Sequence, residues 1–419
     1  MGQQRGRRRR SGGAGTTLTA LLILGAGMPV LLGGPAGAQE PATPVIDRFS
    51  ETVRYGRAGE IHGRLRGGSM GGEVRLQRRV QTQPWATIDT KSVDGEGRVR
   101  WRLLGLRRTA SYRLAVTQEA SGGVVTSDRV RIYVAPVPVL DRATRATRFR
   151  GRVIVAGHLR GGLRGQRVGL QRSLAGRAWR ALGTQRAGRN ARVRFRLGHP
   201  TKTARYRLIF IKESPRVRVA SRSARSVVKP KLVVRLHPRN VFEGHRVVVA
   251  GKLLPKVAGR RMTIQLRTGG RWKTLARPSV GDGHFRTNLR PARTGRIRLR
   301  ARFSGDRLNP SAAGARRLAV YRPSPATYYG PGFYGNRTAC GQSLHTSTPG
   351  VAHKTLPCGT RVAILYGGRT VAVRVIDRGP YGAANWDLTG ATARRLGFSG
   401  RGYIGVIVGG GSSGGRAAV

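Results

Sequence analysis

The sequence predicts a mainly β protein in which three β-sandwich repeats precede a smaller C-terminal β domain. Apolar and polar residues alternate along short segments such as Arg98–Leu103 and Arg192–Leu197, and a period of two is typical of half-buried antiparallel strands. Gly-rich turns separate these segments. One pattern also recurs between positions 45 and 322, with a period of roughly ninety residues that indicates repeated structural units.

Each repeat contains a Gly-initiated strand that ends in Leu-Gln or Ile-Gln and is followed by a tryptophan. Several short strands and Gly-rich turns per repeat predict a sandwich, and the repeats resemble bacterial immunoglobulin-like domains. The tryptophans either pack in the cores or stack on sugars from an exposed face. The strands with their tryptophans are Gly72–Gln77 with Trp85, Gly165–Gln171 with Trp179 and Gly259–Gln265 with Trp272, preceded by Gly-centred strands at Gly63, Gly157 and Gly251.

The N-terminus has the composition of an export signal. A basic run at Arg7–Arg10 precedes an interrupted apolar stretch at Leu18–Leu32 and a small-residue cleavage site at Ala36–Ala38. The apolar stretch is too short and broken for a membrane span, and no Cys lies near the cleavage site to carry a lipid. We therefore expect a secreted, wall-associated protein with no lipid anchor and no stable membrane span after signal removal. A retained membrane anchor is the competing interpretation.

These observations divide the chain into six segments. The expected boundaries are a signal peptide at 1–38, immunoglobulin-like repeats at 39–136, 137–230 and 231–322, a C-terminal β domain at 323–408 and a disordered Gly/Ser tail at 409–419.

The charge of the chain restricts its partners. The sequence contains 80 Lys and Arg against 17 Asp and Glu, a net charge of +63, and such a field attracts polyanions. The basic residues are spread along the β segments rather than gathered in one patch, which argues against a nucleic-acid site and favours anionic wall polymers. Arg-rich codon usage in a GC-rich genome is the alternative explanation. No spacing of His and Cys predicts a metal site, and we expect no cofactor.

The chain has two cysteines, Cys340 and Cys358, both in the C-terminal domain. In an exported protein an even pair predicts a disulfide. A metal site and a catalytic thiol are the alternatives, but two cysteines alone do not make a zinc site and no Cys-x-x-Cys motif is present.

The C-terminal domain carries a series of short motifs in a fixed order. In this order, the motifs resemble the rare lipoprotein A (RlpA) family of double-psi β-barrels. The resemblance implies a six-stranded double-psi β-barrel that cleaves peptidoglycan glycan strands as a lytic transglycosylase. It also implies a catalytic pair, Asp377 and His353, and a groove wall formed by Tyr329, Thr338, Arg378 and Asp387. The motifs are Ala326–Gly330, Thr338–Gly341, Ala352–Thr360, Ile376–Pro380 and Asp387–Leu388.

Carboxylates are scarce in this domain, because Asp377 and Asp387 are the only acidic residues from Ala326 onward. Ordinary glycoside hydrolysis needs two carboxylates, whereas a lytic transglycosylase can use one group to protonate the leaving oxygen and then accept the proton of the 6-hydroxyl. Arg378 would favour ionised Asp377, which makes His353 the alternative donor.

Each candidate also has a structural interpretation. Asp377 could bond the backbone of its turn, His353 could pack or cap a turn, and Asp387 could initiate a helix.

Two functions therefore remain open. The first is a secreted lytic transglycosylase that leaves 1,6-anhydro-muramoyl ends. The alternative is a non-catalytic, expansin-like protein that binds peptidoglycan or another wall polysaccharide. A resemblance of the Cys340–Cys358 pair to secreted expansin-type barrels supports the alternative.

Overall fold

The computed structural model describes residues 41–67, 71–119 and 121–409, and it is mainly β, as the sequence predicts. The signal peptide expected at 1–38 and residues 410–419 of the expected tail lie outside the described residues. Gly409, which the sequence analysis placed in the tail, is the last residue of a strand. Within the described ranges, no helix is both long and apolar enough to cross a membrane.

The first repeat consists of two sheets around one apolar core, which includes Ile61, Leu76 and Leu114. Its strands are β1 (Thr43–Phe49), β2 (Thr52–Arg54), β3 (Arg57–Arg66), β4 (Glu73–Arg79), β5 (Ala86–Ser92), β6 (Arg98–Leu106), β7 (Ala110–Thr117), β8 (Val124–Thr126) and β9 (Val130–Ala135). The smaller sheet has the order β1-β3-β6 and the larger has β2-β9-β7-β4-β5, with β8 beside β7.

The second repeat has the same arrangement around a separate core. Its strands are β10 (Val137–Ala143), β11 (Ala146–Arg148), β12 (Val153–Arg160), β13 (Arg167–Leu174), β14 (Arg180–Arg186), β15 (Arg192–Leu197), β16 (Ala204–Lys212), β17 (Val217–Ala220) and β18 (Ala224–Lys229), with a 3₁₀ turn at Arg189–Ala191. The sheets are β10-β12-β15 and β11-β18-β16-β13-β14, with β17 beside β16.

The third repeat keeps both sheets and a third core. Its strands are β19 (Lys231–His237), β20 (Asn240–Phe242), β21 (Val247–Leu254), β22 (Thr263–Thr268), β23 (Arg271–Ala276), β24 (His284–Leu289), β25 (Gly295–Phe303) and the first part of β26 (Ala312–Tyr329). In all three repeats the short second strand pairs in parallel with the last strand: β2 with β9, β11 with β18 and β20 with β26.

The Gly-centred strands expected from the sequence have a steric cause. A Cβ on Gly157 would lie 2.1 Å from the carbonyl oxygen of Val139 and 2.5 Å from Leu208. Gly63 and Gly251 make the same close approach to the neighbouring strand in their own repeats. Any side chain at these positions would separate the first sheet from its partner strand or from the core.

The junctions between units are short. Only Pro136 lies between β9 and β10, and only Pro230 lies between β18 and β19. At the second of these junctions Asn309 of the third repeat donates to the carbonyl oxygens of Thr201 (3.0 Å) and Val228 (2.9 Å), and it accepts from the guanidinium of Arg260. These buried polar contacts fix the second repeat against the third.

The third junction contains no break in secondary structure. Strand β26 pairs with β25 up to Val320 and continues into the C-terminal domain, where pairing with the last strand of the chain begins at Arg322. The boundary expected between residues 322 and 323 therefore lies inside one strand of 18 residues.

The C-terminal domain is formed by the second part of β26 with β27 (Val351–Ala352), β28 (Arg361–Tyr366), β29 (Arg369–Asp377), β30 (Trp386–Thr389), helix α1 (Gly390–Leu396) and β31 (Gly402–Gly409). Successive neighbours are β26-β30-β27-β29-β28-β31, and β31 also pairs with β26. A fourth apolar core, which includes Val375, Leu388 and Ile404, lies among these strands.

Local signals in this domain are confirmed. Gly367 and Gly368 have positive φ in the two-residue turn between β28 and β29, as expected for a type I′ hairpin. The side chain of Thr389 caps α1 by accepting the N–H of Thr392, and Gly397 ends the helix in the left-handed conformation.

Candidate functional site

The two aspartates of the C-terminal domain lie in one row across the sheet. Ala352 on the two-residue strand β27 is opposite Asp377 of β29 on one side and opposite Asp387 of β30 on the other. Thr327 of β26 continues the row beyond Asp387. The register between β27 and β29 is irregular at this point. Two strand spacings, about 10 Å, separate the backbones of the two aspartates, and the charge of Asp377 still acts on Asp387.

Backbone groups hold Asp377 in place. Its Oδ1 accepts the N–H of Ala339 and the N–H of Arg378, both at 2.8 Å. Ala339 precedes Cys340, which forms the expected disulfide with Cys358, so this prediction is confirmed. The disulfide ties the loop that donates to Asp377 to the segment just before β28.

Asp387 is half-buried. The Thr327 hydroxyl donates to its Oδ1 at 2.8 Å. Burial raises the pKa of Asp387 above its ordinary value, and the charge of Asp377 raises it further, while the bond from Thr327 partly opposes the shift. The surroundings of Asp387 therefore favour its protonated form.

Two buried hydroxyls adjoin this pair. Neither Tyr329 Oη nor Thr338 Oγ1 has a hydrogen-bond partner among the described residues. Burial raises the pKa of the Tyr329 phenol, and the carboxylate of Asp377 adds to the effect. Unpaired buried polar groups are costly, and a substrate with many hydroxyls would satisfy both.

His353 is held as a neutral side chain. Its Nδ1 lies 3.2 Å from the N–H of Thr355 and 3.1 Å from that of Leu356, so Nδ1 accepts and the ring proton resides on Nε2. The ring packs on Trp386 at a centroid distance of 4.4 Å. Burial lowers the pKa of His353, and the charges of Arg378 and Lys354 lower it further. These contacts agree with the interpretation of His353 as a turn cap. The Nε2–H remains able to donate a hydrogen bond.

The remaining predicted residue, Arg378, is directed away from the carboxyls. Its Nη1 donates to the carbonyl oxygen of Leu356 at 2.9 Å. In the described part of the chain, no Lys, Arg or His side chain forms an ion pair with Asp377 or Asp387.

The structure thus brings Asp377, Asp387, Tyr329 and Thr338 together, with His353 beside Asp377 through a backbone bond of 3.2 Å. Sequence reasoning missed Ala352 and Thr327, because their importance depends on pairing between strands distant in sequence. It also missed two exposed aromatic side chains near the site, Phe333 and Tyr381, which are 56% and 86% exposed. Phe333 meets Tyr329 edge-on at 5.9 Å.

Among the described residues no cluster of three or more His, Cys, Asp or Glu side chains could hold a metal ion.

Comparison with known proteins assigns the C-terminal domain. Residues 325–408 match the family model described as lytic transglycolase. They form an RlpA-like double-psi β-barrel domain. A probable endolytic peptidoglycan transglycosylase RlpA from Synechocystis is 46% identical over 76 residues, which are 17% of this chain and 24% of that protein. The corresponding protein of Aquifex aeolicus is 37% identical over 94 residues, 22% of this chain and 42% of that protein.

A third relative, the endolytic peptidoglycan transglycosylase RlpA of Pseudomonas aeruginosa, is 43% identical over 77 residues, 18% of this chain and 23% of that protein. The chain thus spans less than half the length of each of these curated relatives. Among solved structures, a three-domain immunoglobulin fragment of titin covers 68% of this chain and 99% of that chain at 11% identity and a TM-score of 0.29, and nothing is concluded from it.

Proposed function

We propose that this protein is a secreted lytic transglycosylase that cleaves peptidoglycan glycan strands. In this proposal β26 to β31 form a closed six-stranded double-psi barrel, which the return of β31 to β26 supports. The three preceding units are immunoglobulin-like sandwiches in this proposal. Their two sheets support it, as does the parallel pairing of the second strand with the last strand in each unit. The names of the relatives support the activity.

One observation carries the proposal. The two acidic residues of the domain share one row, separated by a side chain no larger than a methyl group, and the charge of Asp377 acts on Asp387. Without Asp377 and Asp387 the domain has no carboxyl group for acid or base catalysis.

Asp387 is the proposed acid. Its pKa is raised by burial and by Asp377, and a general acid must keep its proton near the working pH. Asp387 gives this proton to the glycosidic oxygen while the bond from the anomeric carbon to that oxygen breaks.

Asp377 is the proposed charged partner. As a carboxylate it stabilises the positive charge that develops on the sugar ring. The 6-hydroxyl of the same sugar then attacks the anomeric carbon, a new carbon–oxygen bond closes the 1,6-anhydro ring, and the hydroxyl proton passes to Asp377. No water is consumed, and transfer of the proton back to Asp387 through solvent restores the site.

His353 is then a positioning residue. Its Nδ1 caps the turn at Thr355 and Leu356, and its backbone N–H bonds the carbonyl oxygen of Asp377. The original pairing of His353 with Asp377 as catalytic residues stays a prediction, and the two assignments differ in which side chain supplies the proton.

The glycan is proposed to occupy the groove beside these groups. The hydroxyls of Tyr329 and Thr338 would bond sugar hydroxyls, and the exposed rings of Phe333 and Tyr381 would stack on sugar faces. The cationic repeats would hold the enzyme on anionic wall polymers.

A second candidate function has one observation in its favour. Asp377 is already satisfied by two backbone N–H groups, which is also how a structural turn aspartate is held. A non-catalytic barrel that only binds glycan would keep this arrangement.

Digestion of purified sacculi separates the two functions. The wild-type chain should release 1,6-anhydro-muropeptides, identified by mass spectrometry of the soluble fraction, and folded Asp387→Asn should release none above background. Sacculi that stay intact while retaining the wild-type protein would establish the binding function instead.

A further inference from the structure

Each repeat carries the same three-residue cluster on the outer face of its larger sheet. A glutamine and an arginine are direct cross-strand partners, and the arginine lies over a tryptophan. We name these the Trp–Arg–Gln clusters: Trp85, Arg113 and Gln77; Trp179, Arg207 and Gln171; Trp272, Arg300 and Gln265.

The geometry of the clusters repeats closely. The guanidinium carbon lies 4.5, 4.2 and 4.1 Å from the centroid of its indole ring in the first, second and third repeats. The arginine Nε donates to the glutamine Oε1 at 2.8, 2.8 and 2.7 Å. Each guanidinium is therefore fixed both in position and in the orientation of its plane.

Core packing does not account for these residues, and this interpretation of the tryptophans is wrong. None of the three tryptophans belongs to an apolar core, and all are half-buried on the surface. The one tryptophan of the described repeats that lies in a core, Trp101, is replaced by Phe195 and Thr287 at the corresponding positions of the other repeats. The chain thus varies a core position while it repeats a surface cluster unchanged.

The clusters leave binding capacity unused. In the described part of the chain none of the three guanidiniums has a carboxylate partner, and their only hydrogen bonds are through Nε. Both terminal nitrogens therefore keep their N–H donors. Two parallel N–H donors match two oxygens of a phosphate or a carboxylate.

We infer that the three Trp–Arg–Gln clusters are three successive binding sites for one anionic wall polymer, whose repeating phosphate or carboxylate groups are bound by the fixed guanidiniums. The inference deepens the proposed attachment of the repeats to such polymers and does not depend on cleavage by the C-terminal domain. Diffuse charge would attract any polyanion, whereas the clusters give the repeats specific positions at which oxyanions bind. Three linked sites on one chain strengthen binding through effective concentration.

The test changes the shape of the cationic side chains without changing their charge. The triple variant Arg113→Lys, Arg207→Lys and Arg300→Lys keeps the net charge but loses the planar group that stacks on the indole and bonds the glutamine. The matched control, Arg102→Lys, Arg196→Lys and Arg286→Lys, makes the same exchange at exposed arginines on the smaller sheets.

Binding of the full chain to poly(glycerol phosphate) and to polygalacturonate is measured by sedimentation at physiological salt. The cluster variant should bind at least one polymer about tenfold more weakly or worse, since lysine keeps the charge but cannot form the two parallel hydrogen bonds of arginine at the three sites, while the control changes less than about twofold. The polymer that shows the difference identifies the oxyanion. Thermal melting and hydrogen exchange establish that both variants are folded.

Equal binding by cluster variant and control would overturn the inference and leave diffuse charge as the whole cause. The same assay is run with single-stranded DNA. If the cluster variant loses binding to this ligand alone, the inference is also overturned, because the tryptophans would then be stacking on bases. Release of anhydro-muropeptides from short soluble glycan strands reports on the C-terminal domain alone, so failure of the proposed catalysis is visible separately.

Discussion

The repeats and the C-terminal domain differ in whether any of their carboxylates form ion pairs. In the repeats, some acidic side chains are paired with cations, such as Asp47 with Arg64 at 2.9 Å and Asp306 with Arg260 at 2.8 Å. In the C-terminal domain, Asp377 and Asp387 have no such partner among the described residues, although Arg378 directly follows Asp377.

The difference shows that proximity in sequence does not decide ion pairing in a chain of net charge +63. The side chain of Arg378 is held by the Leu356 carbonyl, and Asp377 is held by backbone N–H groups instead. The domain thereby holds Asp377 without a salt bridge and places Asp387 in surroundings that raise its pKa.

The comparison is tested most severely by Asp387→Asn. If Asp387 is the acid, release of anhydro-muropeptides should fall by about 10²–10⁴-fold or more, the range for loss of a general acid. The amide keeps the size of the side chain and can still accept from Thr327, so the fold should survive, as thermal melting would verify. Full activity in folded Asp387→Asn would return the role of donor to His353 or Asp377.

A pH profile sharpens the same assignment. Because the pKa of Asp387 is raised above its ordinary 3.8, the acid form persists to higher pH, and activity should decline as pH rises through the raised value. The stability of the C-terminal domain should decline over the same interval, since a buried carboxyl with a raised pKa favours folding only while protonated. Initial rates and unfolding midpoints across pH measure both.

His353→Asn supplies the control for that profile. Its amide oxygen can replace Nδ1 as acceptor for the turn, so the high-pH decline should keep its position. If the decline disappears in folded His353→Asn, the titrating group is the histidine.

Removing the disulfide should distinguish the two regions by stability. The double variant Cys340→Ser and Cys358→Ser opens a link between residues 18 apart in sequence and should destabilise the C-terminal domain by about 3 kcal/mol. Hydrogen exchange should rise in that domain and stay unchanged in the first repeat. Unchanged exchange throughout would mean that the barrel strands alone hold the loop of Ala339.

The smallest effect is expected from Gly157→Ala, which is confined to the second repeat. The new Cβ would collide with the Val139 carbonyl oxygen, and overpacking of this kind costs about 1–3 kcal/mol. Gly198→Ala is the matched control, because no atom lies within 4 Å of its added Cβ. Chemical denaturation measures both, and equal stability of the two variants would contradict the steric account of the Gly-centred strands.

Local features of this fold were predictable from sequence. The alternation of apolar and polar residues predicted the strands, and the Gly367-Gly368 pair predicted the hairpin. Thr389 and Gly397 predicted the two ends of α1. These signals depend on the conformations of a few adjacent residues.

Features that depend on pairing between distant segments were not predictable. The row that joins Asp377 to Asp387 passes through a strand of two residues, β27, which is too short to leave a periodic signal. The surface positions of Trp85, Trp179 and Trp272 depend on which sheet face each strand presents, and composition alone favours aromatic residues in the core. The burial that raises the pKa of Asp387 likewise follows only from tertiary packing.

The uninterrupted strand β26 has a consequence for how this protein responds to heat. Nine residue pairs join it to β25, and five join it to β31, so the unfolding of either neighbour removes pairing from the same strand. The third repeat and the C-terminal domain therefore behave as one cooperative unit. We expect unfolding that begins in the third repeat to disrupt the pair of aspartates. The first repeat is separated from this unit by the junctions at Pro136 and Pro230.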